Sequence, residues 1–277
     1  MKVAGKRLQM RRLLYKVLKP FSNNARFQII LEDAVATLQL LMSISSDAGV
    51  KTSGESAILR RLREYRRDPF LIFDVVANKG QFLMMLAEWM NGIAYNAHAF
   101  EPSKDAFSDL SKYQAANVVV NNFGLGKEAG EYDLFYDKPG SGLASLTNRE
   151  LSYLGIEFLH SEKVRVETMD NYCRMNNVAR IDLLKIDVEG HELDVLIGAS
   201  GMFAQNRIKM ASFEFGGCNI STRTFFYDFF RFFKTKEMDI YRITPNGYLH
   251  PLFQYKEFYE QFRTTNFLAV KSELPLS

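Results

Sequence analysis

Hydrophobic and polar positions follow two patterns along this chain, and the change between them falls near residue 69. Before it the spacing is helical. Met10, Leu13, Leu14, Val17, Leu18 and Phe21 recur at helical intervals opposite Lys2, Lys6, Arg7, Arg11, Arg12, Lys16 and Lys19, which predicts a basic amphipathic helix. A second helical pattern spans residues 27–44, residues 43–55 read as a loop rich in Ser, Gly, Asp and Thr, and residues 58–66 read as a short charged helix. From Pro69 onward, short apolar runs alternate with helical stretches: runs at 70–76, 93–100 and 118–120, helices at 81–90 and 104–115. That alternation is the first half of a doubly wound α/β sheet.

Residues 123–168 interrupt it with six glycines and strand-like pieces at 132–136 and 164–168, which predicts a β-rich insertion. Asp170 then stands where it would cap a short helix. The stretch that follows, IDLLKIDVEGHELDVL from Ile181 to Leu196, opens as a buried strand and turns within four residues to Asp187, Glu189, Gly190, His191 and Glu192. After it Leu193, Leu196 and Ile197 return to helical spacing. A strand that ends in acids and runs into a helix marks the carboxyl edge of an open sheet, where such sheets bind ligands. A fifth strand at 208–215 carries Glu214 near its end. The helix at 222–234 is crowded with phenylalanines at core spacing. Strands at 239–243 and 248–252 flank the turn pair Asn246-Gly247, residues 266–271 form a last strand, and a polar tail follows. The expected organisation is a helical extension over residues 1–68 and one α/β domain over 69–277.

Length and composition agree: 277 residues, 47% hydrophobic and 24% charged, fit one large globular α/β domain. A net charge of +3 gives no argument for nucleic acid. Two cysteines, Cys173 and Cys218, form neither a disulfide framework nor a metal spacing, which points to a reducing cytoplasm. No run approaches the ~18 apolar residues of a membrane helix, and the basic start lacks the apolar core of a signal peptide. Residues 1–21 are expected either to touch an anionic membrane surface peripherally, at its inner face, or to dock their apolar stripe on the domain.

The chemistry starts at DVVANKG, Asp74 to Gly80, which follows a strand and opens a helix. With Gly80 as its one glycine it lacks what a dinucleotide pyrophosphate requires, so a nicotinamide-dependent enzyme is the weaker reading. Glu101 ends the next strand, 27 residues after Asp74, where an acid accepts hydrogen bonds from both hydroxyls of a ribose. A cofactor with a ribose and no phosphate fits, and S-adenosylmethionine is that cofactor.

DVVANKG, HAFEPS (residues 98–103), NNFGLG (121–126), KIDVEGHELDVLIGA (185–199), FEFGG (213–217) and NFLAVK (266–271) resemble the FkbM-type S-adenosylmethionine-dependent methyltransferases. The resemblance covers roughly residues 70–271 and is most specific at KIDVEGHE. It implies a Rossmann-like sheet of seven strands with the last antiparallel, and O-methylation of a hydroxyl on a sugar or polyketide-type product. The cofactor-binding set is then Asp74, Val76, Ala77, Asn78, Gly80, Glu101, Pro102, Asn122 and Asp187. One position departs from the family's D-x-G-A-N-x-G loop: Val76 replaces its first glycine. The branched side chain is expected to lower cofactor affinity without abolishing it. Restoring glycine is expected to tighten binding while its chain entropy lowers stability by roughly 0.5–1 kcal/mol.

Methyl transfer requires alignment of the hydroxyl and removal of its proton. Asp187, Glu189 and His191 are the candidate catalytic groups, and an imidazole's ordinary pKa of ~6.5 suits a base. Asp187 and Glu189 can instead hold the cofactor's ammonium or position substrate, and two acids at a strand's end are expected to be harder to replace than the histidine. Joined by Glu214 they offer hard oxygen ligands for a divalent cation, with Asp187 and Glu214 the candidates, but the metal-free reading ranks first. The expectation is a cytoplasmic O-methyltransferase acting on a carbohydrate or glycosylated product. Its rival is a catalytically silent cofactor-binding scaffold, motivated by Val76 and the basic helix.

Overall fold

The structure, a computed structural model, describes residues 2–45, 55–65 and 69–272. Residues 46–54 of the predicted loop, Arg66 of the predicted charged helix and residues 273–277 of the tail lie outside the described residues. The chain forms two compact units, residues 1–42 and 43–277.

The first unit is a helix pair, α1 (Lys2–Leu18) and α2 (Ala25–Leu41). Pro20 turns the chain into a short 3-10 segment after α1. Asn24 then caps α2, its side-chain oxygen accepting the Arg26 N–H at 2.9 Å.

The second unit begins with α3 (Glu55–Glu64), whose Ile58, Leu59 and Leu62 are fully buried against the sheet. Helical patterning alone groups that segment with residues 1–68, whereas its apolar face belongs to the α/β core. The elements that follow are β1 (Phe70–Val75), α4 (Gln81–Trp89), β2 (Tyr95–Phe100), α5 (Lys104–Leu110) and β3 (Val118–Asn121). The insertion holds β4 (Gly124–Leu125), β5 (Gly130–Tyr136) and β6 (His160–Glu167), after which come α6 (Met169–Met175) and β7 (Ile181–Ile186). Next are α7 (Glu192–Gly198), α8 (Ser200–Ala204), β8 (Ile208–Phe215), α9 (Cys218–Thr222) and α10 (Phe226–Lys234). The chain closes with β9 (Met238–Ile243), β10 (Leu249–Pro251) and β11 (Thr265–Lys271).

Among the described residues the main sheet has eight strands in the order β10-β9-β11-β8-β7-β1-β2-β3. The strands from β3 to β8 pair in parallel, and β11 runs antiparallel between β8 and β9. The eighth strand is β10, the far arm of the hairpin read from Asn246-Gly247, where Gly247 adopts φ +77°. The insertion folds as a separate three-stranded sheet, β4-β6-β5.

Register positions the site. Val75 pairs with both Phe100 and Ile186, and Ile186 pairs with Phe213. The residues that follow, Val76, Glu101, Asp187 and Glu214, therefore emerge along one edge. Burial on both faces fixes this register, because a one-residue slip would move each strand's apolar set to the wrong side. On β7, Leu184 and Ile186 pack with Phe73, Phe213 and Phe229 on one face, while Leu183 packs with Ile72, Met210 and Leu268 on the other.

Two local readings change. The aromatic helix starts at Phe226, because Arg223 takes a left-handed φ of +55° and the Glu260 carboxylate caps the Phe226 and Tyr227 N–H groups at 2.8 and 2.9 Å. Its Phe226, Phe229 and Phe233 are fully buried, as core spacing implies. Asp170 does not cap α6. Thr168 does, and Asp170 accepts the Gly201 and Met202 N–H groups at the start of α8, at 2.7 and 2.8 Å.

Candidate active site

The first loop leaves β1 and folds back on β2. The Ala77 N–H donates to the Phe100 carbonyl at 2.9 Å, and the Gly80 N–H to the Ala77 carbonyl at 2.8 Å. Asp74, one residue from the strand's end, is fully buried with Lys185 Nζ 3.5 Å from its Oδ1. Neither carboxylate oxygen accepts a hydrogen bond from a described residue. Burial pushes its pKa up to about 6, against the pull of Lys185.

Val76 adopts φ +62°, Asn78 +47° and Gly80 +86°. The loop keeps the left-handed backbone that the missing glycine would favour, with a β-branched residue in it. Such a conformation costs on the order of 1–3 kcal/mol. This reverses the stability expectation from chain entropy, since relieved strain exceeds the roughly 0.5–1 kcal/mol lost to glycine's freedom. Val76→Gly should therefore melt at or above the parent's temperature and bind S-adenosylhomocysteine more tightly. A lower melting temperature would show that the loop carries no strain at Val76.

Glu101 is buried just past β2. Its Oε2 accepts the Asn78 N–H at 2.8 Å and its Oε1 the Ser103 N–H at 2.9 Å. Burial pushes it up to about 7 despite these two donors. The Asn122 amide donates to the carbonyls of Glu101 and Pro102 at 2.9 and 3.3 Å, pinning the exit of β2.

Past β7, the Asp187 N–H donates to the Val75 carbonyl at 3.3 Å, and its half-exposed carboxylate lies 3.5 Å from Lys185 Nζ. Lys185 thus bridges Asp74 and Asp187. The chain then turns through Glu189 at φ +53° and Gly190 at φ +107°. A Cβ at 190 would stand 3.0 Å from the Cys218 carbonyl oxygen, so glycine is required there on space and dihedral alike. The Glu192 carboxylate closes the turn by accepting the Gly190 and Val188 N–H groups at 3.0 and 3.3 Å; burial pushes it up to about 7.

The three candidate catalytic groups part company here. Glu189 folds inward, pairs with the Arg149 guanidinium and accepts from Cys218 Sγ at 2.9 Å. Burial first, then Asp187, raises its pKa. His191 lies between two partners, Nδ1 at 2.7 Å from Asp194 Oδ2 and Nε2 at 2.9 Å from Thr147 Oγ1. An acceptor at Nδ1 places a proton there and leaves Nε2 with its lone pair. Glu214 is pushed well up by burial and by Asp187, Glu189 and Glu192. Among the described residues no group of three or more His, Cys, Asp or Glu side chains is arranged to hold a metal ion.

A narrow cleft opens at this edge. Of the residues predicted from sequence, Val76, Asn78, Glu101, Pro102 and His191 line it. Asp74, Ala77, Gly80 and Asn122 do not line it. Asp187 and Glu189 reach the same edge without lining the cleft. The opposite wall comes from the insertion, through Leu134, Ser141, Gly142, Ser145, Leu146 and Val166. Sequence reasoning missed that wall, and with it Thr147, Arg149 and Asp194. It also passed over Lys185, though a lysine inside an apolar strand is a visible signal.

The strand order, with antiparallel β11 between β8 and β9, and a cleft at the carboxyl edge place the protein in the Rossmann-like methyltransferase fold class. It belongs to the FkbM methyltransferase domain family, whose profile matches residues 74–241. The hexuronic acid methyltransferase AglP of Haloferax volcanii is 27% identical over 148 residues, 52% of this chain and 56% of that protein. The chain thus spans little more than half the length of that curated relative. Among solved structures, an FkbM methyltransferase from Methylobacillus flagellatus superposes with TM-score 0.45 at 15% identity, covering 73% of this chain and 44% of that one. The plantazolicin methyltransferase BamL, solved with S-adenosylhomocysteine and a triazolic desmethylPZN analog, gives TM-score 0.45 at 9% identity, covering 81% of this chain and 85% of that one.

Proposed function

We propose that this protein transfers the methyl group of S-adenosylmethionine to a hydroxyl of a carbohydrate. One observation carries the reading: Glu101, the acid assigned here to the ribose, and His191, held by Asp194, line the same cleft. Family membership supports methyl transfer, and the hexuronic acid methyltransferase among the relatives supports a carbohydrate acceptor.

The residues present fit the cofactor. Each Glu101 oxygen accepts one backbone N–H and keeps a lone pair for a ribose hydroxyl. Pro102, Leu125, Leu134 and Val166 give apolar walls suited to a flat base. Asp74 retains two acceptors without a donor, and Asp187 offers an exposed carboxylate beside Lys185. When bound, the cofactor supplies a methyl group already activated on a sulfonium. The protein's part is to orient the acceptor, exclude water and take a proton. The acceptor hydroxyl replaces the Thr147 hydroxyl at His191 Nε2, which receives its proton. Asp194 holds the ring and stabilises the charge it gains. Ser141, Gly142, Ala144, Ser145 and Leu146 of the insertion line the cleft beside His191. Free, buried Cys173 and Cys218 accord with a reducing cytoplasm.

A silent cofactor-binding scaffold is the second reading, favoured by the Val76 side chain in the cleft. Two measurements decide. Glu101→Gln should weaken S-adenosylhomocysteine binding by about 1.5–3 kcal/mol in calorimetry, the loss of charge-assisted hydrogen bonds. Unchanged affinity in the folded variant would remove Glu101 from the site. Labelled methyl transfer into a panel of sugars and glycosylated products should then mark a hydroxyl. Binding without transfer to any of them would establish the scaffold.

A further inference from the structure

We infer that the helix pair of residues 2–41 is a docking surface for an anionic lipid bilayer. Charge is segregated along the chain. Residues 1–31 hold eight of the 35 Lys and Arg and none of the 32 Asp and Glu, so the remainder, with 27 basic and 32 acidic residues, is net negative. The same segment exposes its apolar residues. Met10, Leu13, Leu14 and Val17 of α1 are 61%, 65%, 55% and 59% exposed. At 100° per residue they share a sector of about 100°. Arg11 and Lys16 border that sector on either side, where long basic side chains reach headgroups while the stripe enters the acyl boundary. On α2, Ile29, Ile30, Val35, Leu38, Leu40 and Leu41 are each more than half exposed.

Charge complementarity selects the occupant. A second copy of the chain would set two strongly cationic α1 helices against each other, and a nucleic acid would leave the apolar stripe in water. An anionic bilayer neutralises the first feature and buries the second. Among the described residues no helix is long and apolar enough to cross a membrane, so the pair lies on the surface.

The test is co-sedimentation of the full chain with vesicles of phosphatidylcholine, pure or with about a quarter phosphatidylglycerol. Binding should require the anionic lipid and weaken with salt, since the Debye length falls from ~10 Å at 0.1 M to ~3 Å at 1 M. Each basic residue contributes about a five-fold gain in partition, so the triple variant Arg11→Gln, Arg12→Gln, Lys16→Gln should lose roughly a hundredfold. Leu13→Ser with Leu14→Ser should lower binding as well, with the fold unchanged by circular dichroism. Equal binding to neutral vesicles, no binding to anionic ones at low salt, or a triple variant that binds like the parent would overturn the inference. So would self-association or duplex DNA binding that the anionic vesicles fail to displace.

Discussion

Replacing His191 by asparagine should lower methyl transfer by roughly 10²–10⁴ while leaving affinity for S-adenosylhomocysteine nearly intact. Asparagine can keep a donor toward Asp194, where Nδ1 now lies 2.7 Å from Oδ2. It cannot supply the Nε2 lone pair at the cleft. The loss should therefore fall on kcat and spare binding. Asp194→Asn leaves the ring in place but frees its tautomer, so a smaller fall in kcat at constant KM is expected. The two carboxylates have weaker claims than their place in the sequence implied. Glu189 is turned away into its pair with Arg149 and its contact with Cys218, and Asp187 stands off the cleft. If His191→Asn keeps the parent's rate, the base is Asp187, the remaining acid with an exposed carboxylate. If neither His191→Asn nor Asp187→Asn lowers the rate, the site assignment fails altogether.

The edge itself is legible in the sequence because its signals are local. Leu183, Leu184 and Ile186 followed at once by Asp187 and Glu189 mark a strand's end, and DVVANKG and Glu101 mark two more. Parallel register then brings them level without further information. The insertion's contribution is not local. Ser145 donates to the Glu189 carbonyl and Thr147 meets His191, each across 44 positions in sequence, and no periodicity records such a contact. Local rules also misassign where two candidates compete. Thr168 and Asp170 can both cap α6, and the hydroxyl wins while the carboxylate reaches α8. At Val76 the sequence reveals the missing glycine. The backbone alone, at φ +62°, reveals that the loop kept glycine's conformation and so reverses the expected effect on stability.

Arg149→Met should destabilise the protein by about 3–5 kcal/mol near pH 8, the range for breaking a buried ion pair from one side. Both partners are largely buried, with side-chain exposures of 8% for Arg149 and 15% for Glu189. Methionine fills much of the space beside Phe158, over which the guanidinium lies at 5.9 Å, so packing is largely kept. What remains is a buried carboxylate with the Cys218 thiol as its donor. The effect should depend on pH, and its sign follows from Glu189. Burial already raises its folded pKa above the ordinary glutamate range, with Asp187 adding to the rise and Arg149 opposing it. Removing Arg149 raises it further. For an acid whose folded value is raised, the associated stability is fully present below the unfolded value and is lost as pH rises through the folded one. The melting deficit relative to the parent should therefore be small near pH 4–5, below or close to the ordinary glutamate value of ~4.3, and widen toward pH 8. Thermal denaturation across that range reads the difference directly. Adding Glu189→Leu to Arg149→Met removes the stranded charge and should recover most of the loss at pH 8. A deficit that does not change with pH, or a double variant no better than the single, would show that Arg149 acts through its packing on Phe158 and not through the pair.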